Sequence, residues 1–335
     1  MLKWRTPLDG LRSDCLAVTR NGKKTPYDGI YMKRSIPGPN QFLLLARGQT
    51  VSSTFDVSEG YDMTKAGNYS MAVDTFLEYA LGNVDGFNVA GQSRIQTNIA
   101  FLSSPVEVFY LMGNSHTKIT SGQRERNLEN RKQFYESSFS RLLEGQNNNN
   151  TVREGIDETP LKAVVKQCSA AQRRITKEVH LATYSYVKSA ILELQNNENK
   201  AKLWFGTSYV SIAINVFEKM AEILQQDVVT YVYGGKQCKP DMFAYTFSGT
   251  RKIFLCKLYQ KAPKLAKFDS KMGILTHELS HAICYTNDIV YGQSACKKLA
   301  RKAPRRAVRN ADNYEYFVEA LSIRHAHIID YRMIH

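Results

Sequence analysis

Short apolar runs separated by turn residues fill the first third of the chain. Gln41-Phe42-Leu43-Leu44-Leu45, Val51-Ser52-Ser53-Thr54-Phe55-Asp56-Val57 and Val106-Glu107-Val108-Phe109-Tyr110 have the length and composition of strands. Asn21-Gly22, set between Leu16-Ala17-Val18-Thr19 and Tyr27, predicts a hairpin turn. Residues 1–118 are therefore expected to form an all-β sandwich. They carry no constellation of reactive side chains, so packing, binding or inhibition are the roles expected of them. From Ser121 to Gly145 the pattern turns polar and charged, which predicts a solvated helix, and Gln146-Asn147-Asn148-Asn149-Asn150 follows as a low-complexity break. Such a stretch buries nothing, so residues 119–158 are expected to be an exposed linker open to proteolysis.

Beyond it the period lengthens. Val164, Val165, Cys168, Ala171, Ile175 and Val179 recur at three and four, predicting a helix from Leu161 to Leu194. A second helix is predicted from Tyr209 to Leu224. A β-hairpin region follows, from Val228 to Tyr233 through Phe243 to Phe247 and on to Lys252–Cys256. Two more helices are expected, Lys271 to Tyr285 and Arg305 to Arg324. Residues 159–335 thus read as a mainly α, α+β domain.

With 335 residues the chain is long enough for two domains, and 43% hydrophobic and 11% aromatic residues exclude a disordered protein. The net charge of +14 is compatible with diffuse solubilising basicity or with an anionic partner. Its densest run, Lys297, Lys298, Arg301, Lys302, Arg305, Arg306 and Arg309, is either a solvated helix face or a contact to an anionic glycan, membrane or nucleic acid. No apolar run approaches the ~20 residues of a membrane span. The first residues lack the apolar core of a signal peptide, which fits a cytosolic protein, or a chain that begins after a leader or is incomplete. Six cysteines (Cys15, Cys168, Cys238, Cys256, Cys284, Cys296) without CxxC spacing argue against a cysteine-based zinc site and permit disulfides. Asn68-Tyr69-Ser70 and Asn149-Asn150-Thr151 are glycan acceptors only in a secreted protein.

The chemistry concentrates in His277-Glu278-Leu279-Ser280-His281. On a helix, positions i and i+4 share a face, so both imidazoles reach one metal ion with Glu278 beside it. Neutral imidazoles hold Zn2+ without cancelling its charge, and the adjacent carboxylate serves as general base toward water activated at the ion. A catalytic zinc needs a third protein ligand. A HExxHxxGxxH site is excluded, because Cys284 and Asn287 stand where its Gly and third His would be. Asp288, seven residues after His281, and Glu315 or Glu319 on the later helix remain as alternatives.

The following element, Thr286-Asn287-Asp288-Ile289-Val290-Tyr291-Gly292, resembles the mark of the aspzincin metalloendopeptidases, the family of deuterolysin and the peptidyl-Lys metalloendopeptidases. The likeness to the Lys-specific branch extends through Trp204-Phe205-Gly206, Phe243-Ala244-Tyr245, Lys261-Ala262-Pro263 and Asn310 to Phe317. Upstream it includes Phe55-Asp56-Val57-Ser58 and Tyr61 to Tyr69. The resemblance implies a zincin-like fold, one zinc on His277, His281 and Asp288, Glu278 as general base and Tyr291 as oxyanion donor. It further implies an acidic S1′ pocket made by Asp312 and Glu315, in which a lysine ammonium finds the partner that its desolvation demands. Cys238 and Cys256 fall where the family pairs two cysteines; Cys284 and Cys296 either pair or sit as buried thiols. Two departures stand out: the interval from His281 to Thr286 is shorter than the fungal pattern, and a cysteine near Tyr233-Gly234 is missing, leaving Cys168 alone.

The expectation is a secreted zinc endopeptidase that cuts on the N-terminal side of lysine, with the β region as prodomain, inhibitor or accessory and with autoprocessing before Lys162 or Lys166. A zinc peptidase with a Glu third ligand and a non-enzymatic basic binding protein are the alternatives. His325 and His327 are read as surface residues rather than a second metal site.

Overall fold

A computed structural model describes residues 2–35, 37, 41–46, 48–78, 99–111, 161–266 and 268–332, with 129, 130, 133, 134 and 136 between them. The Asn-rich break and most of the charged stretch before it lie outside the described residues, as do the side chains of His325 and His327. The chain divides into two compact units. One comprises Met1–Ile30 with Ile36–Arg126; the other comprises Tyr31–Ser35 with Asn127–His335.

In chain order the strands are β1 (Leu16–Arg20), β2 (Lys23–Thr25), β3 (Ile30–Arg34), β4 (Gly67–Glu78), β5 (Ile99–Ser103), β6 (Glu107–Leu111), β7 (Lys162–Lys166), β8 (Val228–Tyr233), β9 (Met242–Phe247) and β10 (Lys252–Leu255). In the first unit β2, β1, β4 and β5 run in that order, with β6 paired to β4, and every pairing is antiparallel. Asn21 and Gly22, both with positive φ, make the β1–β2 turn, the backbone that a two-residue hairpin of native twist requires. The runs at 41–45 and 51–57 do not form strands. Phe42 makes a single bridge to Leu2, and the second run ends in a 3-10 turn at Val57–Glu59. Leu44 and Val51 are exposed, so these apolar runs have no buried face to set a strand register.

The second unit holds the other sheet, in the order β3-β9-β10-β8-β7. Strands β7 and β8 and strands β8 and β10 are parallel, and β9 and β10 antiparallel. Thus β8 and β9 are not a hairpin, because β10 inserts between them. The helices are α1 (Ala170–Asn196), α2 (Glu198–Phe205), α3 (Val210–Gln226), α4 (Lys257–Lys261), α5 (Lys271–Cys284), α6 (Gln293–Lys302), α7 (Pro304–Ala307) and α8 (Ala311–Arg332). Helix α1 starts later than its apolar period predicts. Val164 and Val165 alternate out and in as a strand does, and a capping box between Ser169 and Gln172 opens the helix. A disulfide joins Cys238 to Cys256. Cys284 and Cys296 are buried thiols, and Cys168 is a free thiol too.

Every residue of α5 except Ile283 is buried, so this helix has no solvent face and runs through the centre of its unit. It packs on α1, α3, α8 and β9. Phe205, Phe217, Tyr314 and Phe317, from α2, α3 and α8, pack together edge-on or tilted, with ring centroids 5.0 to 6.4 Å apart. Its first turn is satisfied by side chains. Ser270 Oγ accepts from Gly273 N (2.9 Å), and Glu319 Oε1 accepts from Ser270 N (2.7 Å) and Ser270 Oγ (2.8 Å). A Cβ at Gly273 would lie 2.1 Å from Glu319 Oε1 and would push that carboxylate off Ser270. Gly273→Ala is therefore expected to cost about 1–3 kcal/mol through overpacking, measured as a lowered midpoint of thermal unfolding.

Candidate active site

Helix α5 ends at Tyr285, whose φ of 57° turns the chain into the left-handed region and reverses it. Thr286 N then donates to Ser280 O (3.3 Å), and the hydroxyls of Ser280 and Thr286 lie 2.6 Å apart. This tight reversal lets the short interval after His281 bring Asp288 back to the histidines. Beyond it the loop is held by Asn310, whose Oδ1 accepts from Ile289 N (2.8 Å) and Val290 N (3.0 Å). Asn287 N donates to Arg309 O (2.7 Å), and Gly292 N to Asp312 Oδ2 (2.7 Å).

Three ligand atoms converge. His277 Nε2 and His281 Nε2 are 3.0 Å apart, and Asp288 Oδ1 lies 3.1 Å from the first and 3.2 Å from the second. His281 Nδ1 faces the carbonyl of Thr286 at 2.9 Å, an acceptor only, so Nδ1 carries the proton and Nε2 presents a lone pair. His277 Nδ1 faces Asp312 Oδ1 at 2.8 Å and Glu315 Oε2 at 3.1 Å, so its second nitrogen is likewise left to point at the cluster. Lone pairs this close repel unless a cation lies among them. A tetrahedral ion with ~2.0 Å bonds separates its ligands by about 3.3 Å, close to the spacing found. The donor set therefore fits zinc.

Burial works against the charge on Asp288, yet His281 and His277 hold its carboxyl well below the usual range. Burial pushes Glu278 up to about 8, although His277 pulls the other way. Its Oε1 accepts from Lys33 N at 2.9 Å. Tyr291 donates its hydroxyl to Met32 O at 3.1 Å. Asp312 and Glu315 face Lys33, with Nζ to carboxylate distances of 3.0 and 2.9 Å. Burial raises both carboxyls and Lys33 lowers both; the outcome is Asp312 at about 2 and Glu315 above its ordinary value, since it also feels Asp312.

The residues singled out in the sequence thus fall into one neighbourhood; of the two alternative ligands, Glu315 lies within it and Glu319 does not. Glu315 approaches His277 from the Nδ1 side, away from the Nε2 atoms, and forms with Asp312 a second cluster around that ring. Glu319 caps the start of α5. Sequence reasoning missed Lys33, 245 positions from Glu278, and Asp269, 3.2 Å from Lys33 Nζ. No local pattern marks either: Lys33 follows the apolar triplet Ile30-Tyr31-Met32 as the first of two basic residues, and Asp269 stands in the short bend before α5.

A lysine-specific metallo-endopeptidase model, that of the aspzincins, matches residues 190–319. An extracellular protease of Aeromonas hydrophila is 26% identical over 326 residues, 95% of this chain and 83% of that protein. A peptidyl-Lys metalloendopeptidase of Grifola frondosa is 27% identical over 330 residues, 94% of this chain and 82% of that one. Another, from Pleurotus ostreatus, is 30% identical over 158 residues, 45% of this chain and 94% of that one. The chain belongs to the aspzincin family of metalloendopeptidases. It is a zinc metalloendopeptidase, a hydrolase acting on peptide bonds.

The geometry separates the three carboxylates offered as third ligand. Asp288→Ala is expected to lose stoichiometric zinc, while Glu315→Gln and Glu319→Gln retain it, measured by metal analysis after dialysis. Loss for Asp288 should exceed the ~10–100-fold weakening typical of removing an outer-sphere partner.

Proposed function

We propose that this protein is a secreted zinc endopeptidase that cleaves on the N-terminal side of lysine, with zinc held by His277, His281 and Asp288. The observation that carries the reading is a lysine, Lys33, whose ammonium sits among Asp312, Glu315 and Asp269 while its amide nitrogen donates to Glu278. Asp312 and Glu315 are buried, and two carboxylates out of water require a cation close by. A lysine side chain supplies it; an apolar or acidic one does not. Tyr316 completes the pocket, with its hydroxyl 3.3 Å from Nζ and its ring centroid 4.7 Å away.

Zinc in this donor set supplies a Lewis acid that lowers the pKa of water toward ~7 and polarises a carbonyl. Glu278 takes the proton from the attacking water and returns it to the leaving amine. Burial favours its neutral form, while His277 and a bound cation favour the carboxylate, and a group held between the two both accepts and releases a proton. Tyr291 donates to the carbonyl oxygen as negative charge develops there. Asp312 and Glu315, near both the lysine and His277 Nδ1, hold the substrate and steady the ligand ring at once. Secretion agrees with the Cys238–Cys256 disulfide, and among the described residues no helix is long and apolar enough to cross a membrane. The region before the catalytic part, residues 1–118 with the linker 119–158, serves as a prodomain, apart from Tyr31–Ser35, which belong to the catalytic unit.

Digestion of a denatured protein mixture, followed by mass spectrometry of the new termini, is expected to give fragments that begin with lysine. Random termini, or no cleavage in the presence of zinc, would refute the reading. Glu278→Gln should lower kcat by at least ~100-fold, the lower end for losing a general acid–base group. Asp269→Asn should raise KM for lysine peptides with zinc content unchanged, because Asp269 touches the ammonium and Tyr316 but neither histidine.

A further inference from the structure

Resting on the proposed lysine pocket, we propose that Glu319 is a positioning residue for it: held as the neutral acid, it donates its proton to Glu315 and so fixes the aim of the carboxylate that meets the substrate's ammonium. Glu315 and Glu319 are four apart on α8, where one turn of helix sets the two side chains on the same face. Both are fully buried. Each has one oxygen in use and one left over. Glu315 Oε2 faces Lys33 Nζ at 2.9 Å and His277 Nδ1 at 3.1 Å, whereas Glu315 Oε1 has no hydrogen-bond partner among the described residues. Glu319 Oε1 accepts from Ser270 N at 2.7 Å and from Ser270 Oγ at 2.8 Å, whereas Glu319 Oε2 has none among them.

Two buried acids with one idle oxygen each are costly as a pair of carboxylates, and a single proton between them satisfies both. Its place follows from what surrounds each acid. The Lys33 ammonium and the His277 ring meet Glu315, so the negative charge is stabilised there. Only the neutral donors of Ser270 reach Glu319, and the ionisable groups facing it are Glu315 on its own helix and Lys33 on β3. Burial and the Glu315 charge hold the Glu319 carboxyl well above the usual range, against a weaker pull from Ser270 and Lys33. Since Oε1 already accepts twice, the proton sits on Oε2 and is left for the idle oxygen of Glu315. A hydrogen bond from outside the pocket leaves Glu315 Oε2 turned to the ammonium, and a neutral Glu319 adds no further negative charge beside Asp312 and Asp269. Glu319 thereby ties the pocket to the first turn of α5, which Ser270 opens.

Three variants of the full zinc-loaded chain test this. Stability is measured in the Glu278→Gln background, so that self-digestion does not interfere. Glutamine at position 319 copies an acid that cannot ionise. A carboxyl that stays protonated when folded, but loses its proton on unfolding, makes the folded state less stable as pH rises above the unfolded value of ~4.3. Relative to the Glu319→Gln protein, the folding equilibrium constant with Glu319 in place should fall by up to ~10-fold per pH unit from about pH 5 to about pH 7, read as a widening gap in thermal midpoint. A flat gap over that range means that Glu319 is ionised when folded, and it overturns the proposal without reference to activity. In hydrolysis of a lysine peptide, Glu319→Gln, whose amide N–H still donates to Glu315, should keep KM close to the wild-type value. Glu319→Leu should raise KM on the order of 10-fold, the scale of losing a hydrogen bond to a charged group, with kcat and zinc content retained. Ser270→Ala removes a contact of Glu319 without touching Glu315; it should lower the thermal midpoint and leave KM unchanged. If Ser270→Ala raises KM as much as Glu319→Leu does, or Glu319→Gln raises it as much, the proposal fails and the lysine-specific reading stands. Termini without lysine preference in the wild-type digest would sink that reading itself.

Discussion

Two carboxylates out of reach of water, those of Asp312 and Glu315, set the terms for everything around them. Left alone, such a pair would take up a proton or unfold its surroundings, because several kcal/mol of lost hydration per ion must be offset locally. On one side His277 Nδ1 meets them, and on the other the Lys33 ammonium. The same charges that orient a metal-binding ring also define a pocket for a cation. In the proposed reading metal affinity and substrate preference are coupled: a change in either carboxylate reaches both, which is why Asp269, outside the overlap, is the cleaner probe of specificity.

Such a cluster persists only in a rigid frame, and α5 provides it. A helix buried on all sides cannot slide without opening cavities around it, and its polar residues His277, Glu278 and His281 are held by apolar packing on the rest of its surface. Glu319 and Gly273 fix its start, and the left-handed Tyr285 fixes its end. The loop that follows is anchored at Asn310, a residue whose amide oxygen satisfies two backbone donors of that loop. Asp288 is thus placed by hydrogen bonds on both flanks rather than by loop length, and the interval that looks short in sequence is long enough once Tyr285 turns it back.

What could be read from the sequence followed from locality. The spacing of His277 and His281 implies a shared face because both are on one helix, whereas Asp288 and Tyr291 stand out only because Thr286–Gly292 resembles the aspzincin mark; spacing alone leaves Glu315 and Glu319 open as third ligands. Helices α3 and α5 match the apolar period to within two residues at each end, whereas the single helix expected over 305–324 is two, Pro304–Ala307 and Ala311–Arg332. Strands were harder. The runs at 41–45 and 51–57 have strand composition but remain exposed, and Val164 and Val165 add to a helical count although they stand on a strand. The order of β8, β10 and β9 depends on pairings between segments whose sequences do not announce their partners. Lys33 was illegible for the same reason: nothing near position 33 differs from a surface strand, and its meaning comes from groups more than two hundred residues away.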